Sequence, residues 1–129
     1  MGIGGAGMSA LAKLLKNKGI EVSGCDLKEP HYDLENIPFI HGHSEEHIRN
    51  FKPDALILSS AVSHDNPEVI EALNSGVKII SRAEALSPLF NEAKGIGIAG
   101  AHGKTTTSSM TGLIFLRAGL NPTLYIGAN

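Results

Sequence analysis

The sequence predicts an α/β protein built on a parallel sheet, and three observations carry that expectation. Segments with helical spacing alternate with short apolar runs, glycine-rich turns precede two of the helical segments, and 42% of the 129 residues are hydrophobic against 19% charged. That composition belongs to a folded chain rather than a disordered or fibrous one, and the length suits one ordinary domain rather than two.

Residues 8–18 place Met8, Leu11, Ala12 and Leu15 at helical spacing, and Gly19 stands where a left-handed helix terminator belongs. Residues 20–25 read as a short strand, and 27–38 as irregular chain with Pro30 and Pro38 marking turns. After a strand or loop, Ser44 is placed to cap a short helix through about Asn50. Ala55, Leu56, Ile57 and Leu58 then form the continuous apolar run of a strand covered on both faces. Asn66, Pro67 and Glu68 supply an N-cap, a first-turn proline and a first-turn acid for a helix that Gly76 ends, and residues 78–81 form a further strand. The alternation predicts βαβ units.

Beyond Pro88 the chain turns polar over 91–95, and a domain boundary is placed near residue 94, giving domains 1–93 and 94–129. A second cycle follows: an apolar strand at 96–99, a glycine turn, a helix over about 104–118 with Met110, Leu113, Ile114 and Leu116 on its apolar face, Gly119, and a strand at 123–126. A glycine turn of the first kind takes a strand before it, yet Gly2 follows the first residue, so the opening strand of the sheet is expected to be missing. Residues 95–129 are too few to bury a core of their own. The chain is expected to be an incomplete piece.

A net charge of −2 and a pI of about 6.3 give no broad positive field, which argues against nucleic acid as a partner. The single cysteine, Cys25, excludes an intrachain disulfide, fits a reducing cytoplasm, and reads as a small buried hydrophobe at a strand end. No apolar run approaches the roughly 18 residues of a membrane span, and no signal-peptide pattern opens the chain.

Gly2-Ile3-Gly4-Gly5-Ala6-Gly7 matches G-x-G-x-x-G: a tight turn, a close backbone approach to a diphosphate, and a helix N-terminus offering N–H donors. Asp26 lies 19 residues after Gly7, close to the offset at which an acid accepts hydrogen bonds from ribose hydroxyls. Together they predict a nucleotide diphosphate with a free ribose diol, leaving NAD and a UDP-sugar both open. The second motif, Gly100-Ala101-His102-Gly103-Lys104-Thr105-Thr106, follows an apolar run and precedes a helix. Its backbone suits a phosphate cradle, Lys104 suits the charge of the β- and γ-phosphates, and the Thr105 hydroxyl suits Mg²⁺. The strict G-x-x-x-x-G-K-[ST] spacing fails because its first position falls on Ile98, leaving the shorter G-x-x-G-K-T.

Both motifs in one chain resemble the Mur ligases, the ATP-dependent ligases of peptidoglycan precursor synthesis. The strings that carry the likeness are Gly2-Ile-Gly-Gly-Ala-Gly-Met-Ser9, Ser59-Ser-Ala-Val62 with Asn66-Pro-Glu68, Arg82-Ala-Glu84, Ala99-Gly-Ala-His-Gly-Lys-Thr-Thr-Thr107, and the tail from Ala118 to Thr123 with Ile126 and Gly127. They favour the branch that joins L-alanine to UDP-N-acetylmuramate. The resemblance implies a Rossmann-like UDP-sugar domain, then the start of a P-loop ATP-binding domain, with ATP and Mg²⁺ used in the reaction. It implies catalytic roles for Lys104 and Thr105, with Thr105 also holding Mg²⁺, and ATP contacts from Gly100, Ala101, His102, Gly103, Lys104, Thr105 and Thr106. It further implies UDP-sugar contacts from Gly4, Gly5, Ala6, Gly7, Ser9, Asp26, His43, Ser60 and Arg82. Ala101 departs from the family, which commonly has threonine there.

Other readings of these residues stand beside the resemblance. His41 and His43 flank Gly42 as half a metal site or as loop histidines, and Arg82 with Glu84 reads as a surface ion pair. At the level of function, the alternatives are a Mur ligase acting on an intact tripeptide, an NAD-dependent oxidoreductase domain, and a module that binds a UDP-sugar without catalysis. With the family's amino-acid-binding domain and most of its ATP domain outside these residues, the isolated chain is expected to lack ligase activity.

Overall fold

Short apolar strands alternating with helices set the architecture of the computed structural model, which describes residues 1–126. The elements are α1 (Ala6–Asn17), β1 (Gly24–Asp26), β2 (Phe39–His41), α2 (Glu45–Phe51), β3 (Ala55–Leu58), α3 (Pro67–Asn74), β4 (Lys78–Ser81), α4 (Arg82–Asn91) and α5 (Lys104–Arg117). β1 pairs in parallel with β2, and β3 in parallel with β4. Residues 1–3 bridge the two pairs: the Gly2 and Ile3 N–H groups donate to the Cys25 carbonyl, and the Met1 ammonium donates to the Ile57 carbonyl at 2.8 Å. The strand edges of β1 and β3 thus flank the glycine turn.

Leu56 and Leu58 of β3 pack with Ile48 of α2 and Val69 and Ala72 of α3, whereas Ile57 faces Leu11 and Leu15 of α1 and Ala85 of α4. β3 is therefore covered on both faces, as its apolar run predicts. Ser44 caps α2, and Asn66 caps α3 with Pro67 at its start. Gly19 and Gly76, at φ +81° and +72°, take the left-handed positions assigned to them.

Four expectations change. The strand at 20–25 shrinks to Gly24–Asp26, because only three residues of β2 lie opposite to complete a ladder. Residues 82–91 form α4, closed at its start by a reciprocal cap: Glu84 N–H donates to the Ser81 hydroxyl, and Ser81 N–H donates to the Glu84 carboxylate at 2.7 Å. Residues 96–99 and 123–126 are not strands, since among the described residues no neighbouring strand pairs with either. Met110, Leu113, Ile114 and Leu116 on α5 are all at least half exposed, so the apolar face of that helix is not covered by the described residues. Gly127 lies outside those residues.

Gly24 gives the packing of the glycine turn on β1 a direct test. A Cβ there would fall 2.3 Å from Ile3 Cδ1 and 2.8 Å from Ile3 Cβ, in a side chain that is 3% exposed. Because the close atoms include the root of the isoleucine, rotation cannot relieve the clash. Gly24→Ala is expected to destabilise the fold by about 1–3 kcal/mol, the usual cost of overpacking. An unchanged urea midpoint would contradict this packing.

Candidate functional site

The glycine turn bends because Gly2 adopts φ +77°, and a Cβ there would meet Ser59 Cβ at 2.8 Å. Gly5 stands at the N-cap of α1 with no side-chain cap, which leaves that helix end to an external acceptor. Asp26, at the end of β1, accepts from Gly4 N–H at 2.9 Å and from Lys28 N–H at 3.1 Å. The acid and the turn are thus joined directly, and Gly4 N–H already has a partner. Ser9 is buried, and its hydroxyl donates to the Ala6 carbonyl within the helix.

Arg82 reaches the same place from the start of α4. A Cβ built on Gly7 would lie 2.3 Å from Arg82 Nη1 and 3.4 Å from the Tyr125 hydroxyl, so a guanidinium covers the third glycine. Tyr125 donates to the Gly7 carbonyl at 2.8 Å. Its hydroxyl pKa is raised by partial burial, which the neighbouring Arg82 charge opposes. Glu84 is committed to Ser81, whose side chain and backbone N–H both hydrogen-bond its carboxylate and lower its pKa. The Arg82–Glu84 ion pair does not form, and Arg82 makes no salt bridge among the described residues. An exposed arginine, an open helix N-terminus and a strand-end acid thereby converge on one glycine turn. Chemically, that combination can receive a phosphorylated ligand bearing hydroxyls.

Ser60 is exposed in the turn after β3, next to Ser59, which touches Gly2, and so shares this edge of the sheet. His43 is placed differently. Its side chain turns inward, with Nδ1 at 3.4 Å from Cys25 Sγ and 3.4 Å from Glu68 Oε2. Cys25 donates its thiol proton toward Glu68, and burial pushes that thiol up to about 12, with Glu68 adding to the rise and the N-terminal ammonium opposing it. The sequence hid this cluster because Glu68 reads there as a first-turn acid and Cys25 as a small buried hydrophobe.

The second turn stands at the start of α5. Gly100 and Gly103 adopt φ +159° and +78°, and α5 starts with no side-chain cap. Lys104 folds back over the loop, donating to the carbonyls of Gly100 at 2.6 Å and Ala101 at 3.2 Å. Ala101, His102, Thr105 and Thr106 are exposed around it. An ammonium poised on loop carbonyls beside an open helix end fits a polyphosphate, and the exposed Thr105 hydroxyl in the first turn fits one ligand position of Mg²⁺.

The family model described as "Mur ligase family, catalytic domain" matches residues 1–101. A UDP-N-acetylmuramate--L-alanine ligase of Geotalea uraniireducens (strain Rf4) is 46% identical, the match covering 98% of this chain and 28% of that protein. One of the same name from Sulfurihydrogenibium sp. (strain YO3AOP1) is 47% identical, again with 98% and 28% covered. The chain therefore spans 28% of the length of these curated relatives. Among solved structures, UDP-N-acetylmuramate:L-alanyl-gamma-D-glutamyl-meso-diaminopimelate ligase from Neisseria meningitides superposes with a TM-score of 0.91 at 35% identity, covering 99% of this chain and 41% of that one. UDP-N-acetylmuramate-alanine ligase from Thermotoga maritima gives 0.85 at 32% identity, covering 98% and 30%.

Proposed function

The chain belongs to the Mur ligase family, and from that premise we propose that it is the UDP-N-acetylmuramate-binding part of an ATP-dependent, cytoplasmic ligase that adds L-alanine. The observation that carries the reading is the Arg82 guanidinium over Gly7 at the uncapped start of α1, with Asp26 beside it. The relatives named above as L-alanine ligases support the choice of acceptor and amino acid.

In this reading the diphosphate lies at Gly5, Ala6 and Gly7 under Arg82, and the ribose at Asp26. Ser60 lines the same edge. The inward set of His43 leaves it to shape the nucleoside pocket from behind. Gly4 and Ser9 act through the turn itself, Gly4 by holding Asp26 and Ser9 by closing the first helical turn. We take residues 1–93 as the UDP-sugar domain and 94–129 as the opening of the ATP-binding domain.

Ligation needs a poor leaving group replaced by a good one. The lactyl carboxylate attacks the γ-phosphorus of ATP, ADP leaves, and the amine of L-alanine then displaces phosphate from the acyl phosphate. Lys104 exchanges its loop carbonyls for phosphate oxygens and carries the negative charge that develops there. Gly100, Ala101, His102, Gly103 and Thr106 shape the cradle. Thr105 would hold Mg²⁺, which supplies Lewis-acid neutralisation of the phosphates.

A second reading, ligation of an intact tripeptide to the same sugar nucleotide, is favoured by the 0.91 TM-score to the tripeptide ligase. The test is ADP release by a ligase of the relatives' length carrying these residues. Release requiring both UDP-N-acetylmuramate and L-alanine is expected; release driven by the tripeptide and not by L-alanine would overturn the assignment. The 129-residue chain alone is expected to release no ADP in that assay.

A further inference from the structure

A buried cluster joins His43, which backs the nucleoside pocket, to two side chains that the proposed reaction does not use, Cys25 and Glu68. Cys25 belongs to β1, His43 follows β2, and Glu68 stands in the first turn of α3; Cys25 and Glu68 are each 3% exposed. Their donor atoms, a sulfur, an imidazole nitrogen and a carboxylate oxygen, lie within 4.8 Å of one another. The closest separations are 3.4 Å from Cys25 Sγ to His43 Nδ1, 3.2 Å from Cys25 Sγ to Glu68 Oε2, and 3.4 Å from His43 Nδ1 to Glu68 Oε2. His47 Nδ1 approaches the same carboxylate oxygen at 3.2 Å.

These spacings suit a specific ion. Bonds of about 2.3 Å to sulfur and about 2.0–2.1 Å to nitrogen or oxygen, arranged tetrahedrally, set donors about 3.3–3.6 Å apart. The three donors already stand within a few tenths of an ångström of that triangle. Thiolate, imidazole and carboxylate together select zinc over magnesium or calcium, which take oxygen donors. A buried carboxylate also needs a compensating positive charge, and a dication provides one.

We propose that Cys25, His43 and Glu68 bind one Zn²⁺, with His47 holding the Glu68 carboxylate in place from outside the triangle and water completing the coordination. On binding, the Cys25 thiol proton passes to solvent as the Sγ–Zn bond forms. The ion ties β1, the turn after β2 and α3 together beside Asp26. Its role is to brace the edge of the sheet rather than to react.

The test uses the 129-residue chain without a histidine tag, stripped of metal by chelation and titrated with Co²⁺. One Co²⁺ per chain is expected, with a sulfur-to-cobalt charge-transfer band that Zn²⁺ abolishes. Because the chain has one cysteine, that band reports Cys25 alone. Cys25→Ser should remove the band, and His47→Gln should weaken Zn²⁺ binding by about 10–100-fold. Should either variant fail to fold, the unsubstituted chain still decides: Zn²⁺, and not equimolar Mg²⁺, should raise its Tm. The proposal is overturned if the reduced chain takes up no cobalt, if bound cobalt shows no sulfur band, or if Cys25→Ser binds as tightly as the parent.

Discussion

Replacing Lys104 with alanine is expected to lower kcat by about 10²–10³-fold in a ligase of the relatives' length carrying these residues, the usual loss when one preorganised electrostatic contact to a transition state is removed. The ammonium of Lys104 is held at 2.6 Å and 3.2 Å by the carbonyls of Gly100 and Ala101, so the loop keeps it in place before phosphate arrives. The ammonium moves from neutral carbonyls to a polyphosphate because full negative charges attract it more strongly than carbonyl dipoles do. The KM for UDP-N-acetylmuramate should stay constant, since the proposed site for that substrate is the separate glycine turn of α1. Single-turnover measurement of ADP formation checks the result. An unaltered kcat would remove Lys104 from the chemistry.

Arg82→Ala is expected to weaken UDP-N-acetylmuramate binding by about 10–100-fold, as follows from about 1.5–3 kcal/mol for a hydrogen bond to a charged group. The fold should be little affected, because Arg82 is exposed and makes no salt bridge among the described residues. Arg82→Lys should recover only part of the affinity, since an ammonium lacks the planar fork that grips two phosphate oxygens. Gly7→Ala should mimic the loss. Its Cβ would sit 2.3 Å from Nη1, and the guanidinium, as the mobile end of its side chain, would swing off the turn. Calorimetry on the three variants, with Tm as the control, reads this directly. Full affinity in Arg82→Ala would exclude a phosphate contact.

The sequence carried the parts of the fold that depend on local chemistry. Ser44 and Asn66 cap helices in the structure because a short polar side chain before a helix has few better acceptor roles. The run in β3 declared a strand covered on both faces because no polar residue interrupts it. Helix α4 escaped notice for an equally local reason. Pro88 reads as a breaker, yet the Ser81–Glu84 cap holds the start of the helix and Ala85 and Leu89 pack against α1, so the chain continues through the proline.

The site was legible in its types and not in its contacts. Glycine spacing pointed to the turn before α1 and the 19-residue offset pointed to Asp26, but a pattern cannot show that Asp26 is bonded to Gly4. Arg82 reaches Gly7 only because α4 packs beside α1. The cluster of Cys25, His43 and Glu68 was hidden further, since 18 and 25 residues separate its members and only the crossing of α3 over the sheet unites them.

The central claim is that this glycine turn holds a UDP-sugar rather than a nicotinamide dinucleotide. Calorimetric titration of the chain with UDP-N-acetylmuramate and, separately, with NAD tests it most directly. The account predicts one saturable site for UDP-N-acetylmuramate that Arg82→Ala weakens, and no heat of binding from NAD at the same concentrations. Saturable binding of NAD with none of UDP-N-acetylmuramate would contradict it.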